Sequence, residues 1–335
     1  MGLSASAPGK LMLSGEYAVL DGAPAIVVAV DARAIVSLHP AADDAPMNDA
    51  PSAGSTKTAG ASPPPPEVRA TWDLARERFP ELPSTPPLVD VSALRDPSGA
   101  QKLGLGSSAA AAAATAALAL SLAGLPPDAT AQRDLLFELA FRGHRVIAPE
   151  GSGADVAASS LGGYLRFEPA VNGPSDLPRC ASLTPPHGLV TRVVWTGHAA
   201  RTSDLVGQVK RFQARASGAY ATLARDLADA ARSFADAFES SDVPAVLSLA
   251  ERYHEAMAAL GDAAQAPIVE RHLTVVAQLA REAGGRAKPS GAGGGDVAIA
   301  FFGSEADAQR FEALVERAGF ELLALALGAP GPQMS

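Results

Sequence analysis

A single cysteine, Cys180, stands in 335 residues, which excludes an internal disulfide framework and any cysteine-rich metal site. A lone free thiol of this kind reads as passive. The six histidines fall at no ligand spacing, so no structural metal is expected. Long apolar runs are also missing. The alanine-rich stretch 108–123 comes nearest to the roughly 18 residues a membrane span requires, but alanine is weakly hydrophobic and the flanks are glycine turns, not basic anchors. Charged residues make up only 19%, with a formal net charge of −9. That balance opposes binding to nucleic acid or an anionic membrane through bulk charge, and an anionic substrate would need a local cluster of cations. The opening MGLSASAPGK carries one positive charge and leads into a patterned segment; neither a signal nor a transit peptide is expected, and the expected location is cytoplasmic.

What is present is 47% hydrophobic residues in a chain longer than one core usually sustains, which implies two domains. The apolar runs 17–20 and 25–30 are expected as short strands around the turn Asp21-Gly22-Ala23-Pro24. Residues 40–66 shift to Ala, Asp, Ser, Gly and four consecutive prolines, expected as a mobile insertion. Helices are expected over 67–79, 109–123, 128–142, 217–239, 244–259, 267–283 and 305–318. Strands are expected over 88–92, 162–167, 193–195, 297–302 and 321–325. This is an α+β pattern, divided into residues 1–175 and 189–335.

Four strings carry chemistry. Gly104-Leu105-Gly106-Ser107-Ser108-Ala109 precedes a strong helix former. Glycines let backbone approach a ligand, the first amides of the helix form an anion site, and Ser107 or Ser108 adds a hydroxyl for phosphate or Mg²⁺. Taken alone, the string also fits a plain helix N-cap. Lys288-Pro289-Ser290-Gly291-Ala292-Gly293-Gly294-Gly295-Asp296 precedes an apolar strand; so many small residues suit a backbone pressed against something bulky, or a flexible hairpin loop. Ala7-Pro8-Gly9-Lys10 followed by Gly15-Glu16-Tyr17, and Glu150-Gly151-Ser152-Gly153-Ala154-Asp155, place a lysine and a carboxylate beside tight turns. Each of those two is bland in isolation, because lone charged residues are mostly solvated surface.

In this order the four strings resemble the GHMP small-molecule kinases, a family that includes galactokinase and the homoserine, mevalonate and phosphomevalonate kinases. The resemblance implies the two-domain fold of that family: an N-terminal domain with a left-handed β-α-β unit and a ferredoxin-like C-terminal domain, ATP and acceptor lying between them. It implies Lys10 and Asp155 as a catalytic pair, the six residues from Gly104 to Ala109 as the phosphate loop, and Ser108 as the Mg²⁺ ligand. Acceptor contacts would come from Glu16, Tyr17, Lys102, Ser152, Arg201, Thr202, Ser203, Ser290, Gly291, Ala292 and Gly293. Gly15-Glu16-Tyr17, Lys102 and the ending Gly-Gly-Asp296 resemble phosphomevalonate kinases more than mevalonate kinases. The expected acceptor is therefore phosphomevalonate, with mevalonate the alternative and a non-catalytic ligand sensor a remote one. Lys102 also fits a solvated loop lysine. Mevalonate kinases carry a Mg²⁺-binding glutamate eleven residues before the catalytic aspartate, where this chain has His144. Imidazole is a poor ligand for so hard a cation, so either Glu150 replaces it or Ser108, water and nucleotide suffice; His144 is expected to be a helix-end or packing residue. A monomer or homodimer is expected.

Overall fold

The computed structural model describes residues 3–38, 63–96, 98–170, 176–198 and 202–335. Most of the expected insertion at 40–66, and Arg201 with it, lies outside the described residues.

The alternation in residues 25–30 builds the first sheet. Ala25 and Val27 face one core while Ile26, Val28 and Val30 face another, the two-residue period of a strand covered on both sides. This strand, β2 (Ala25–Ser37), pairs antiparallel with β1 (Ser4–Ser14). Residues 17–20 between them, expected as a strand, instead turn as a 3₁₀ helix, Ala18–Asp21. Tyr17 sits at φ 59°, which breaks the extended path just before it. The sheet is completed by β3 (Leu88–Asp90) and β4 (Tyr164–Glu168) on β2, β5 (Arg179–Leu183) on β4, and β10 (Gln333–Met334) on β1.

One face of this sheet carries α1 (Pro66–Arg78), α2 (Ser107–Leu122), α3 (Arg133–His144) and α4 (Ala154–Leu161). Helix α2 is buried on every side from Ala109 to Leu120. Its alanines explain how: a helix apolar all round must be enclosed, and methyl side chains let the sheet and the neighbouring helices approach closely.

The second lobe contains β6 (Val190–Trp195), α5 (Thr202–Arg215), α6 (Ser217–Glu239), α7 (Val243–Ala264), α8 (Arg271–Glu282), β7 (Arg286–Ser290), β8 (Val297–Phe302), α9 (Glu305–Arg317) and β9 (Glu321–Leu323). Its four-stranded sheet, in the order β7-β8-β6-β9, is antiparallel throughout, the ferredoxin-like arrangement expected. Helix α5 was not expected from the sequence, although Leu205, Val209 and Phe212 form its buried stripe. The lobes share one core, in which Leu11, Leu13 and Val28 of the first join Phe234, Phe238 and Phe301 of the second. Among the described residues, no helix is long and apolar enough to cross a membrane.

Candidate active site

The turn into α2 is squeezed from two sides. Gly104 and Gly106 both sit at φ 76°. A Cβ on Gly106 would come within 3.0 Å of the Lys10 side chain, and one on Gly104 within 2.6 Å of Asp296. Positive φ and close approach both demand glycine here. The Lys10 amide donates to Leu105 O at 2.8 Å and its Nζ donates to Gly104 O at 3.2 Å, which holds the ammonium against the turn. Gly106 caps α2 without a side-chain hydrogen bond. The first amides of a 16-residue helix are thus left without a side-chain acceptor, and the helix dipole favours an anion there.

Ser107, Ser108 and Ala109 form the first turn of α2. Ser108 Oγ lies 3.1 Å from His144 Nε2, and Asp155 Oδ2 lies 4.0 Å from the same nitrogen. His144 ends α3 and Asp155 is the second residue of α4, so two helix termini bring these side chains to the start of a third. Gly153, at φ 83°, permits the tight entry into α4, where a Cβ would strike the Phe141 ring. The direct pairing of Lys10 with Asp155 expected from the sequence is not what the structure holds. The Lys10 ammonium turns to Gly104 O, and Asp155 faces His144. His144 is a helix-end residue as expected, but it also touches the serine of the phosphate loop. Glu150, considered as a metal ligand, is an exposed carboxylate ion-paired with Lys210 of α5. Ser152 Oγ accepts from the Ala154 amide at 3.3 Å.

From the second lobe, residues 290–296 reach the first lobe through several bonds. Ser290 Oγ accepts from the Met12 amide at 2.9 Å, and Tyr17 Oη donates to Ala292 O at 2.6 Å. The Gly291 amide donates to Glu16 Oε1 at 3.3 Å, and the same oxygen accepts from Lys288 Nζ at 2.5 Å. Gly293 packs on Ile268 and Gly294 on Leu205, leaving no room for a Cβ at either. Glu16 and Tyr17 were expected at the acceptor; both residues are buried, and their side chains hold the glycine segment from behind. Burial lowers the pKa of Lys288, the Glu16 carboxylate opposes that, and Lys10 adds to the lowering. Burial likewise raises the hydroxyl pKa of Tyr17, with Glu16 adding to the effect. Lys102 is exposed, its backbone bridged to Arg95, and Thr202 and Ser203 are exposed at the start of α5.

Sequence reasoning missed Lys288 and Tyr253. Lys288 opens the glycine-rich string, which by itself gives the lysine no role; it lies in β7, 1% exposed, its ammonium 5.5 Å from the centre of the Tyr253 ring. Tyr253 donates to Glu16 O at 2.7 Å. Nothing local in the sequence signals a contact between residues so far apart.

The model of the GHMP kinases N terminal domain matches residues 90–163, and that of the GHMP kinases C terminal domain matches residues 234–320. A phosphomevalonate kinase of Streptomyces sp. strain CL190 is 32% identical over 342 aligned residues, which cover 90% of this chain and 90% of that one. The chain belongs to the GHMP kinase family. A mevalonate kinase of Aeropyrum pernix is 30% identical, covering 93% of this chain and 92% of that one. The structure of Streptococcus pneumoniae phosphomevalonate kinase in complex with phosphomevalonate and AMPPNP shares the fold at a TM-score of 0.74 and 18% identity, covering 97% of this chain and 99% of that one. In this GHMP kinase the glycine turn before α2 belongs to the first lobe, and the segment pressed on it belongs to the second.

Proposed function

We propose that this GHMP kinase transfers the γ-phosphoryl group of ATP to the phosphate of phosphomevalonate, giving diphosphomevalonate and ADP. The observation that carries the reading is the α2 N-terminus without a side-chain cap, with the Lys10 ammonium held on Gly104 O and with Ser108 and Asp155 both near His144 Nε2. The 32% likeness to a phosphomevalonate kinase supports this choice of acceptor.

Phosphoryl transfer needs alignment and charge neutralisation more than covalent help from the protein. In this reading the amides of residues 104–109 receive the β- and γ-phosphates. Lys10 lies between the γ-phosphoryl group and the acceptor, and Lys102 with Arg201, Thr202 and Ser203 contacts the acceptor's anionic groups. The second pKa of a phosphate monoester is about 6, so the acceptor is mostly ionised at neutral pH and needs no base. Asp155 then orients and neutralises.

The residues fit a Mg²⁺ ion: the Ser108 hydroxyl and the Asp155 carboxylate are hard oxygen donors flanking the same imidazole, and Mg²⁺ is usually held by one or two carboxylates together with substrate phosphates. When bound, the ion screens the phosphate charge. Glu150 is left to Lys210.

Mevalonate is the second reading, favoured by the 30% likeness to a mevalonate kinase. A coupled assay of ADP release over phosphomevalonate, mevalonate, homoserine and sugars decides between them. Turnover confined to phosphomevalonate is expected; robust turnover of mevalonate with none of phosphomevalonate overturns the choice of acceptor and leaves the kinase standing. No ADP release with any acceptor removes the kinase.

A further inference from the structure

A serine or threonine in a helix interior can donate its hydroxyl hydrogen to the carbonyl four residues back. Thr115 of α2 does so, donating to Ala111 O at 2.8 Å. Ser108 is only the second residue of α2, so the residue four back, Gly104, lies outside the helix at φ 76°, and its carbonyl accepts from Lys10 Nζ at 3.2 Å. The Ser108 hydroxyl turns instead to His144 Nε2, 3.1 Å away on a side chain only 7% exposed. The end of α3 that carries His144 is pinned, because Gly143 packs directly on Thr71 of α1 with no room for a Cβ.

We propose that His144 is a positioning residue for the divalent cation of this kinase. In the neutral tautomer that carries its proton on Nδ1, His144 Nε2 accepts the Ser108 hydroxyl hydrogen, and this turns the oxygen lone pairs away from the helix and toward the cation at the α2 N-terminus. A hydroxyl that ligates a metal must put its hydrogen elsewhere, and partners that orient a ligand in this way set metal affinity. The imidazole acts through Ser108 and does not touch the metal. The inference rests on the reading of residues 104–109 as the phosphate loop, and it names a function for the residue that stands where the resemblance led one to look for an acidic ligand.

The test uses the whole protein, Mn²⁺ as the metal and ADP as the nucleotide. Mn²⁺ binding in the presence of ADP is measured by electron paramagnetic resonance titration for the wild type, Ser108→Ala, His144→Leu, His144→Gln and the Ser108→Ala, His144→Leu double variant, with urea unfolding as a check on the fold. Ser108→Ala and His144→Leu should each weaken Mn²⁺ by about tenfold, the double variant should fall no further than about twofold below the weaker single, and His144→Gln, which keeps an acceptor atom, should stay within about threefold of wild type. ADP binding without metal should be the same in His144→Leu and His144→Gln as in the wild type. If His144→Leu does not fold, His144→Phe takes its place. Wild-type Mn²⁺ affinity in the apolar His144 variant, with Ser108→Ala weakened, overturns this inference alone. Full additivity of the two single effects does the same, as does a ¹⁴N coupling to Mn²⁺ that disappears with His144. Wild-type affinity in Ser108→Ala removes the hydroxyl from the metal and overturns the phosphate-loop reading as well.

Discussion

Lys288 Nζ lies 2.5 Å from Glu16 Oε1, and the two side chains are 0% and 1% exposed. One comes from β7 of the second lobe and the other from the turn after β1 of the first. Two charges taken out of water are tolerated only when further bonds help to satisfy them. Lys288 also donates to Pro289 O at 2.6 Å, and Glu16 Oε1 also accepts from the Gly291 amide at 3.3 Å. Glu16 Oε2 is buried without a hydrogen-bond partner.

Breaking this pair from one side should therefore be costly. Glu16→Gln or Lys288→Met alone should lower stability by about 3–5 kcal/mol, because each leaves an uncompensated buried charge or its partner's bonds unmet. The double variant Glu16→Leu, Lys288→Met should recover most of that loss. Urea unfolding of the four proteins checks it; a double variant as unstable as the worse single would show that the pair's charge is not what matters.

Lys10→Met and Ser108→Ala should each reduce kcat by about a hundredfold or more with the fold intact, as expected for lost transition-state stabilisation. Methionine retains the unbranched stem that packs on Gly106 and removes only the ammonium. Steady-state kinetics within about threefold of wild type would take either residue out of the reaction.

Lys102→Ala should raise the acceptor KM by about tenfold and leave the ATP KM unchanged, because the side chain is exposed beside the loop and free to meet substrate. A defect confined to ATP would place this lysine at the other end of the cleft.

His254 gives a pH dependence of stability. Burial, with Arg281 next, lowers its pKa to about 4 from an ordinary 6.5. Between those values the unfolded chain takes up a proton that the folded chain refuses, so stability is complete above about pH 6.5 and falls as pH drops toward 4. The loss should approach about 3 kcal/mol for this group. Urea midpoints at pH 7.5 and 4.5 should differ less in His254→Gln than in wild type; equal differences would show that the imidazole already titrates normally in the folded state.

Much of the fold was legible because it is written in local periodicity. The long amphipathic α6, α7 and α9, the alanine helix α2 behind its glycine turn and the apolar β8 all follow from spacing alone. What was missed depends on distant partners. β7 reads Arg-Ala-Lys-Pro-Ser, which has no strand pattern, and it is a strand because β8 and Glu16 are there to receive it. At the site, the glycine turn and Ser108 were legible from the string Gly-Leu-Gly-Ser-Ser. The inward turn of Glu16 and the contact of His144 with Ser108 were not, since each is set by how separate helices and strands meet.

The short strand β10 pairs with β1, at Ala5↔Met334 and Ser6↔Gln333. The outer edge of the first sheet is thus supplied by residues that leave the ribosome more than three hundred positions after the strand they cover. During synthesis β1 must wait with that edge unpaired, and exposed strand edges are templates for pairing with other chains. A first lobe expressed alone would keep the same open edge permanently, the edge that the full chain leaves open only until its last residues are made.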